Sequence, residues 1–159
     1  MITLNSDAAS TSLSKTTKAI LNEYGIKLNK NLGQNYLIDR NKRDQIIQFG
    51  NLTKDDVVLE IGPGIGTLTI ELAKRVKKVI AIEQDSNICQ ILENRLKKEN
   101  IDNVELINDD ALNVEFPKFD KIISNLPYQI SSPITFKFLN YDFQLAILMY
   151  QKEFASRMN

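Results

Sequence analysis

The sequence predicts an α/β protein built on a doubly wound, mostly parallel sheet. Three observations carry that expectation. From Asp55 onward, short apolar runs alternate with longer amphipathic stretches, the pattern of strands joined by crossover helices. Val57 to Ile61 ends at glycines, and Leu145 to Tyr150 contains no charge, as suits strands buried on both faces. The first run passes straight into Gly62-Pro63-Gly64-Ile65-Gly66, a turn where backbone can approach a ligand more closely than side chains permit. Sheets of this kind bind ligands at the carboxyl ends of their strands, where the winding reverses.

The elements follow in order. Residues 1–14 are mostly Ser, Thr, Asn and Ala and are expected to form a mobile tail. A short helix is predicted from Thr16 to Tyr24, stopped by Gly25. The segment from Asn29 to Asn35 is loop-like, and Asp39 is placed to cap a helix through Phe49, with Ile46, Ile47 and Phe49 as its apolar residues. Val57 to Ile61 is the first strand and Thr67 to Val76 the helix after it. Lys78 to Glu83 is the second strand, and Ser86 caps a helix to about Lys98. Val104 to Ile107 and Lys121 to Ser124 are the third and fourth strands. A helix from Ser132 to Leu139 is entered through Pro133, and Leu145 to Tyr150 is the fifth strand.

Composition narrows the chemistry. With 159 residues and 43% hydrophobic content the chain can bury one core. It has no histidine, which removes Ser-His-Asp and Cys-His catalysis, His-ligated zinc and any imidazole base. Its one cysteine, Cys89, excludes an internal disulfide and a Cys-cluster metal site. No signal pattern or membrane-length apolar run is present. The net charge of zero hides an asymmetry. Residues 1–54 hold eight Lys/Arg against four Asp/Glu, while the remainder holds 12 against 16. A basic leading segment on an acidic body is either an arm for a polyanion or a solvated face.

Four stretches then offer chemistry. The glycine turn has the spacing G-x-G-x-G; a dinucleotide fingerprint would need glycine where Thr67 stands. Glu83 closes the second strand about twenty residues on, where a carboxylate can accept from both ribose hydroxyls, and Asp85 is better placed for a helix dipole. Asn108-Asp109-Asp110 after the third strand is either a solvated acidic turn or an acceptor for an adenine amino group. Ser124-Asn125-Leu126-Pro127-Tyr128 after the fourth strand combines an amide acceptor, a stiffened loop and an aromatic plate able to stack on a base.

Together, Glu60 to Gly66 and Asn125 to Tyr128 resemble the S-adenosyl-L-methionine-dependent RNA adenine-N6 methyltransferases. Asn31-Leu32-Gly33-Gln34-Asn35-Tyr36-Leu37 and Gln151 to Met158 are similar to segments of the KsgA/Dim group in its archaeal or eukaryotic form. That group dimethylates two adjacent adenosines near the 3′ end of small-subunit ribosomal RNA. Tyr36 departs from the usual Phe but keeps the aromatic plate. The resemblance implies a Rossmann-like fold and assigns roles residue by residue. Asn35 and Leu37 would contact the cofactor from the entry segment, Gly62 would lie against its methionine part, and Gly64 would shape the turn. Glu83 would hold the ribose and Asp110 the adenine. Asn125 would sit between cofactor and target. Asn125, Leu126, Pro127 and Tyr128 would carry the transfer, with Tyr128 and Phe154 against the target base. The partner implied is small-subunit ribosomal RNA or a pre-ribosomal particle, met by a monomer in the cytoplasm, or in the nucleolus of a eukaryote, with no metal and no membrane.

The same resemblance makes residues 29–159 an incomplete catalytic domain and 1–28 a basic tail with a short helix. Further strands and a small helical domain are expected beyond Asn159, so the chain is expected to be a truncated piece. Three rivals are weighed against this reading. A macrolide-resistance methyltransferase of large-subunit ribosomal RNA shares the cofactor motifs but fits Tyr150 to Phe154 less well. A non-catalytic RNA-binding, assembly or transcription factor on the same fold is disfavoured by the intact Asn125 to Tyr128. A nicotinamide oxidoreductase is disfavoured by Thr67.

Overall fold

The computed structural model describes residues 6–26 and 39–150; Asn35, Tyr36, Leu37 and Phe154 lie outside the described residues. Helix α1 (Ser6–Glu23) packs on α2 (Arg40–Phe49). Five strands follow: β1 (Val57–Ile61), β2 (Lys78–Glu83), β3 (Val104–Asn108), β4 (Lys121–Asn125) and β5 (Leu145–Met149). Helices α3 (Thr69–Ala73), α4 (Ser86–Lys98) and α5 (Ser131–Phe138) connect them, and a 3-10 turn at Tyr128–Ile130 leads into α5. The strands are all parallel in the order β3-β2-β1-β4-β5. The winding therefore reverses between β1 and β4, and the crevice above those two strands is where such a sheet takes its ligand.

The central strands explain their own position. Val58, Leu59, Val79, Ile80, Ala81, Ile82, Ile122 and Ile123 are all at most 1% exposed, because helices and loops cover both faces. One face gathers Ile46, Ile47, Leu68, Leu72 and Val76. The other gathers Phe116, Phe119, Ile134 and Phe138, where Phe116 and Tyr141 stack with ring centres 4.9 Å apart. At the opposite end of the sheet from the crevice, Lys121 Nζ pairs with Asp56 at 2.9 Å and donates to the Asn51 carbonyl at 2.7 Å. Such a buried pair persists only because its hydrogen bonds are satisfied.

Several boundaries differ from those the sequence predicts. The stretch expected as a mobile tail is helical from Ser6, since adding turns to an existing helix is far easier than starting one. Phe49 was expected on the apolar face of α2 but is 65% exposed; the helix buries Ile46 and Ile47 instead. Helix α3 is shorter than Thr67 to Val76 because the chain beyond it serves the sheet: the Lys77 N–H bonds the Asp56 carbonyl at 2.9 Å and Val76 is drawn into the core. Asp85, not Ser86, caps α4, accepting from the N–H groups of Asn87 (2.9 Å) and Ile88 (3.2 Å). Helix α5 begins at Ser131, one residue before the expected start, and Tyr150 falls outside β5.

Candidate functional site

A cleft of about 340 Å³ opens at the carboxyl ends of the strands. Three consecutive turns of the chain build it. The first is the glycine turn after β1, where Gly62, Gly64 and Gly66 hold φ of 68°, 57° and 88°, values that side chains strongly disfavour. Gly62 and Gly66 also have a spatial reason. A Cβ on Gly62 would stand 2.8 Å from the Pro127 ring, and one on Gly66 2.4 Å from a Leu92 methyl. The first close approach brings the glycine turn against the loop after β4. The second seats the turn on α4.

The end of β2 supplies Glu83. Its carboxylate accepts from the Gly64 N–H at 3.3 Å and the Asp85 N–H at 3.0 Å, so one side chain ties the glycine turn to the start of α4. Burial raises the Glu83 carboxyl above the usual carboxylate range. Asn108 at the end of β3 donates to the Glu83 and Gln84 carbonyls at 2.8 and 3.1 Å, holding that corner from the neighbouring strand. Asp110 also lines the cleft; it accepts from the Leu112 N–H at 2.9 Å and from the Asn113 side chain at 3.2 Å.

The loop after β4 closes the cleft. Asn125 and Pro127 line it together with Gln129 and Ile130. Leu126 turns the other way: it is 3% exposed and packs among the core residues beneath, while its N–H bonds the Met149 carbonyl at 3.2 Å. Tyr128 is not among the lining residues but stands between two that are, 45% exposed. Its carbonyl accepts from the buried Ser131 hydroxyl at 2.7 Å. Of the residues singled out in the sequence, the fold thus brings Gly62, Gly64, Glu83, Asp110, Asn125 and Pro127 to one cavity. It keeps the Leu126 side chain out of it.

Glu60 is the group that sequence reasoning missed, although it opens the glycine motif. It lines the cleft, is 2% exposed, and its Oε2 is buried without a hydrogen-bond partner among the described residues. Burial, with the Glu83 charge adding to it, pushes its carboxyl up to about 8. The folded chain therefore keeps a proton on Glu60 over a pH range in which the unfolded chain, at 4.5, has released it. Stability from this group is complete below the unfolded value and is lost as pH rises through the folded one. Glu60→Gln is expected to flatten the decline in melting temperature between about pH 5 and about pH 8. Equal slopes for the two proteins in parallel thermal melts would contradict this. Cys89 is buried, and burial pushes its thiol up to about 11, which leaves it no nucleophilic role.

An open parallel sheet with a glycine turn, a strand-end carboxylate and an amide-bearing loop around one crevice defines a Rossmann-like α/β domain with its ligand crevice at the winding reversal. The comparisons with known proteins specify it. The family model for ribosomal RNA adenine dimethylase matches residues 25–159, and the chain belongs to that family. It is 59% identical over 142 residues to a protein of Methanosphaera stadtmanae named as a probable ribosomal RNA small subunit methyltransferase A, covering 89% of this chain and 52% of that one. Among solved structures, a dimethyladenosine transferase from Plasmodium falciparum superposes with a TM-score of 0.70 at 43% identity, over 75% of this chain and 44% of the other. The 23S rRNA methyltransferase ErmE gives 0.69 at 35% identity, over 76% and 50%. The chain spans about half the length of the curated relatives it matches. Among the described residues, no helix is long and apolar enough to cross a membrane.

Proposed function

We propose that this chain carries the cofactor site and reacting centre of an S-adenosyl-L-methionine-dependent ribosomal RNA adenine-N6,N6-dimethyltransferase. Its substrate would be two adjacent adenosines near the 3′ end of small-subunit ribosomal RNA, met in the cytoplasm by a monomer acting on a pre-ribosomal particle. The observation that carries the proposal is the single cleft in which the glycine turn, Glu83 and Asn125 face one another. The cleft suits the cofactor chemically. Glu60 Oε2, buried and without a partner among the described residues, offers an oxygen acceptor for an ammonium group, whose positive charge would favour release of the Glu60 proton. Glu83 keeps acceptor capacity for ribose hydroxyls beyond its two backbone donors. Asp110 can accept from an adenine amino group, and Gly62 leaves room for the methionine part. From the segment outside the described residues, Asn35 and Leu37 would cover the cofactor.

When bound, S-adenosyl-L-methionine supplies an activated sulfonium methyl, so the protein's task is to aim the acceptor. The adenine amino nitrogen is a poor nucleophile because its lone pair is delocalised into the ring, and its proton is too weakly acidic to be removed first. Hydrogen bonds from that amino group to the Asn125 side-chain oxygen and the Leu126 carbonyl favour a pyramidal nitrogen with its lone pair free. The burial of the Leu126 side chain fits this division of labour, since it anchors the loop while the backbone meets the base. Tyr128 would stack on the extruded base, with Phe154 against its other face. The proton then leaves to solvent. No histidine is needed, and alignment alone is worth up to about 10 kcal/mol in well-oriented systems.

Calorimetry with S-adenosyl-L-methionine, followed by methyl transfer to immature small ribosomal subunits and to large subunits, tests the proposal. Cofactor binding with transfer to small subunits supports it. Transfer confined to large subunits would favour the activity that the ErmE similarity represents. Tight RNA binding without turnover would favour a non-catalytic assembly factor.

A further inference from the structure

The ladder between β1 and β4 is shorter than its neighbours. Strand β1 pairs with β2 as far as Ile61↔Ile82, and β4 pairs with β5 as far as Asn125↔Met149. Between β1 and β4 only Val58↔Lys121 and Leu59↔Ile122 pair. Continued in the same register, Ile61 would face Ser124, but the ladder of paired residues does not extend there. The Ser124 hydroxyl fills the gap. It accepts from the Ile61 N–H at 3.2 Å and donates to the Ile61 carbonyl at 2.6 Å, so both polar groups of Ile61 are satisfied by one side chain. Ser124 is fully buried.

This bridge sits directly behind the cleft. Ile61 precedes Gly62, and Ser124 precedes Asn125. In front of it, the Pro127 ring stands where a Gly62 side chain would have to go. The glycine turn and the Asn125 loop are therefore spaced at two points, by a hydroxyl behind and a proline ring ahead. A third strand-to-strand hydrogen-bond pair in place of the hydroxyl would draw the turn and the loop together and narrow the crevice. A residue with no polar side chain would leave two buried backbone groups unpaired, at a cost that favours local rearrangement.

We infer that Ser124 is a positioning residue, whose hydroxyl sets the distance between the cofactor turn and the loop that presents the target amine. The inference rests on the reading of this cleft as the site of methyl transfer. Ser124 touches neither reactant; it acts through Ile61 and Asn125. Methyl transfer is sensitive to such spacing, because misplacing a reacting group by about 1 Å costs about a hundredfold in rate.

The test compares Ser124→Ala with Ile123→Val, a neighbouring core substitution chosen to lower the melting temperature without touching the bridge. Ser124→Ala is expected to lower kcat by about tenfold to a hundredfold, while cofactor Kd and the KM for RNA stay within about threefold. Ile123→Val is expected to keep its kcat at any assay temperature where both proteins are folded. A kcat for Ser124→Ala within about twofold of the parent, or an equal loss in Ile123→Val, would overturn the inference. Crystal structures of parent and variant give a readout independent of turnover: the separation of Gly62 from Asn125 is expected to change, and an unchanged separation also overturns it. If the parent protein transfers no methyl to RNA, the functional reading fails, and the separation then decides only whether Ser124 spaces the glycine turn from the Asn125 loop. Should Ser124→Ala not fold, Ser124→Cys, whose longer and weaker contacts also disturb the bridge, is read the same way.

Discussion

Asn125→Ala is expected to lower methyl transfer by about a thousandfold, the upper end of what removing one preorganised polar group from a reacting centre costs. Asn125 ends β4 and lines the cleft, and under the proposed mechanism its acceptor matters most when the target nitrogen becomes pyramidal. An interaction that strengthens only on the way to the transition state appears in kcat and not in ground-state binding. The affinity for S-adenosyl-L-methionine is therefore expected to stay within about tenfold of the parent. Fold stability is expected to change little, because the side chain is half-buried at the end of its strand rather than in the core. Single-turnover transfer to small subunits, paired with calorimetric titration of the cofactor, separates the two quantities. A variant that transfers at close to the parent rate would remove the aligned-lone-pair mechanism, whatever its cofactor affinity.

The elements of this fold were legible where local chemistry alone determines them. The apolar runs of β1, β2 and β4 have no stable place except the centre of a sheet, and the glycine turn has backbone angles that few other residues tolerate. Asp39 was read correctly as a cap because its side chain can reach the first free N–H groups of α2. Asp85 and Ser86 show where that reasoning stops: both residue types cap helices, and only the observed extended backbone of Asp85 decides between them. Glu60 was harder still. A carboxylate inside an otherwise apolar strand gives no periodic signal, and its place in the cleft lining is visible only once the strands are assembled around the crevice. Ser124 was legible only as part of a motif, since its bridge to Ile61 spans 63 positions of sequence. Short-range patterns locate turns and strands, whereas contacts across the winding reversal require the assembled sheet.

Under the proposed function Glu83 has two tasks that substitution can separate. Glu83→Ala removes the acceptors for the ribose and also frees the Gly64 and Asp85 N–H groups that the carboxylate now holds. Hydrogen bonds to a charged group are worth about 1.5–3 kcal/mol each, so cofactor Kd is expected to rise by about a hundredfold. At saturating cofactor, kcat is expected to fall much less, because Asn125 and the loop after β4 are untouched. Glu83→Gln keeps one oxygen acceptor in nearly the same volume. If holding the turn is the main task, Gln restores most of the affinity, since one backbone donor still finds an oxygen. If the ribose is the main load, Gln restores little, because an amide cannot accept from two hydroxyls and two backbone donors at once. Calorimetry on both variants distinguishes the outcomes, and an unchanged Kd in Glu83→Ala would remove the ribose assignment. Burial raises the Glu83 carboxyl although backbone hydrogen bonds already support its charge, so under the ribose assignment a bound cofactor is expected to lower it again, a shift that titration of the two states checks.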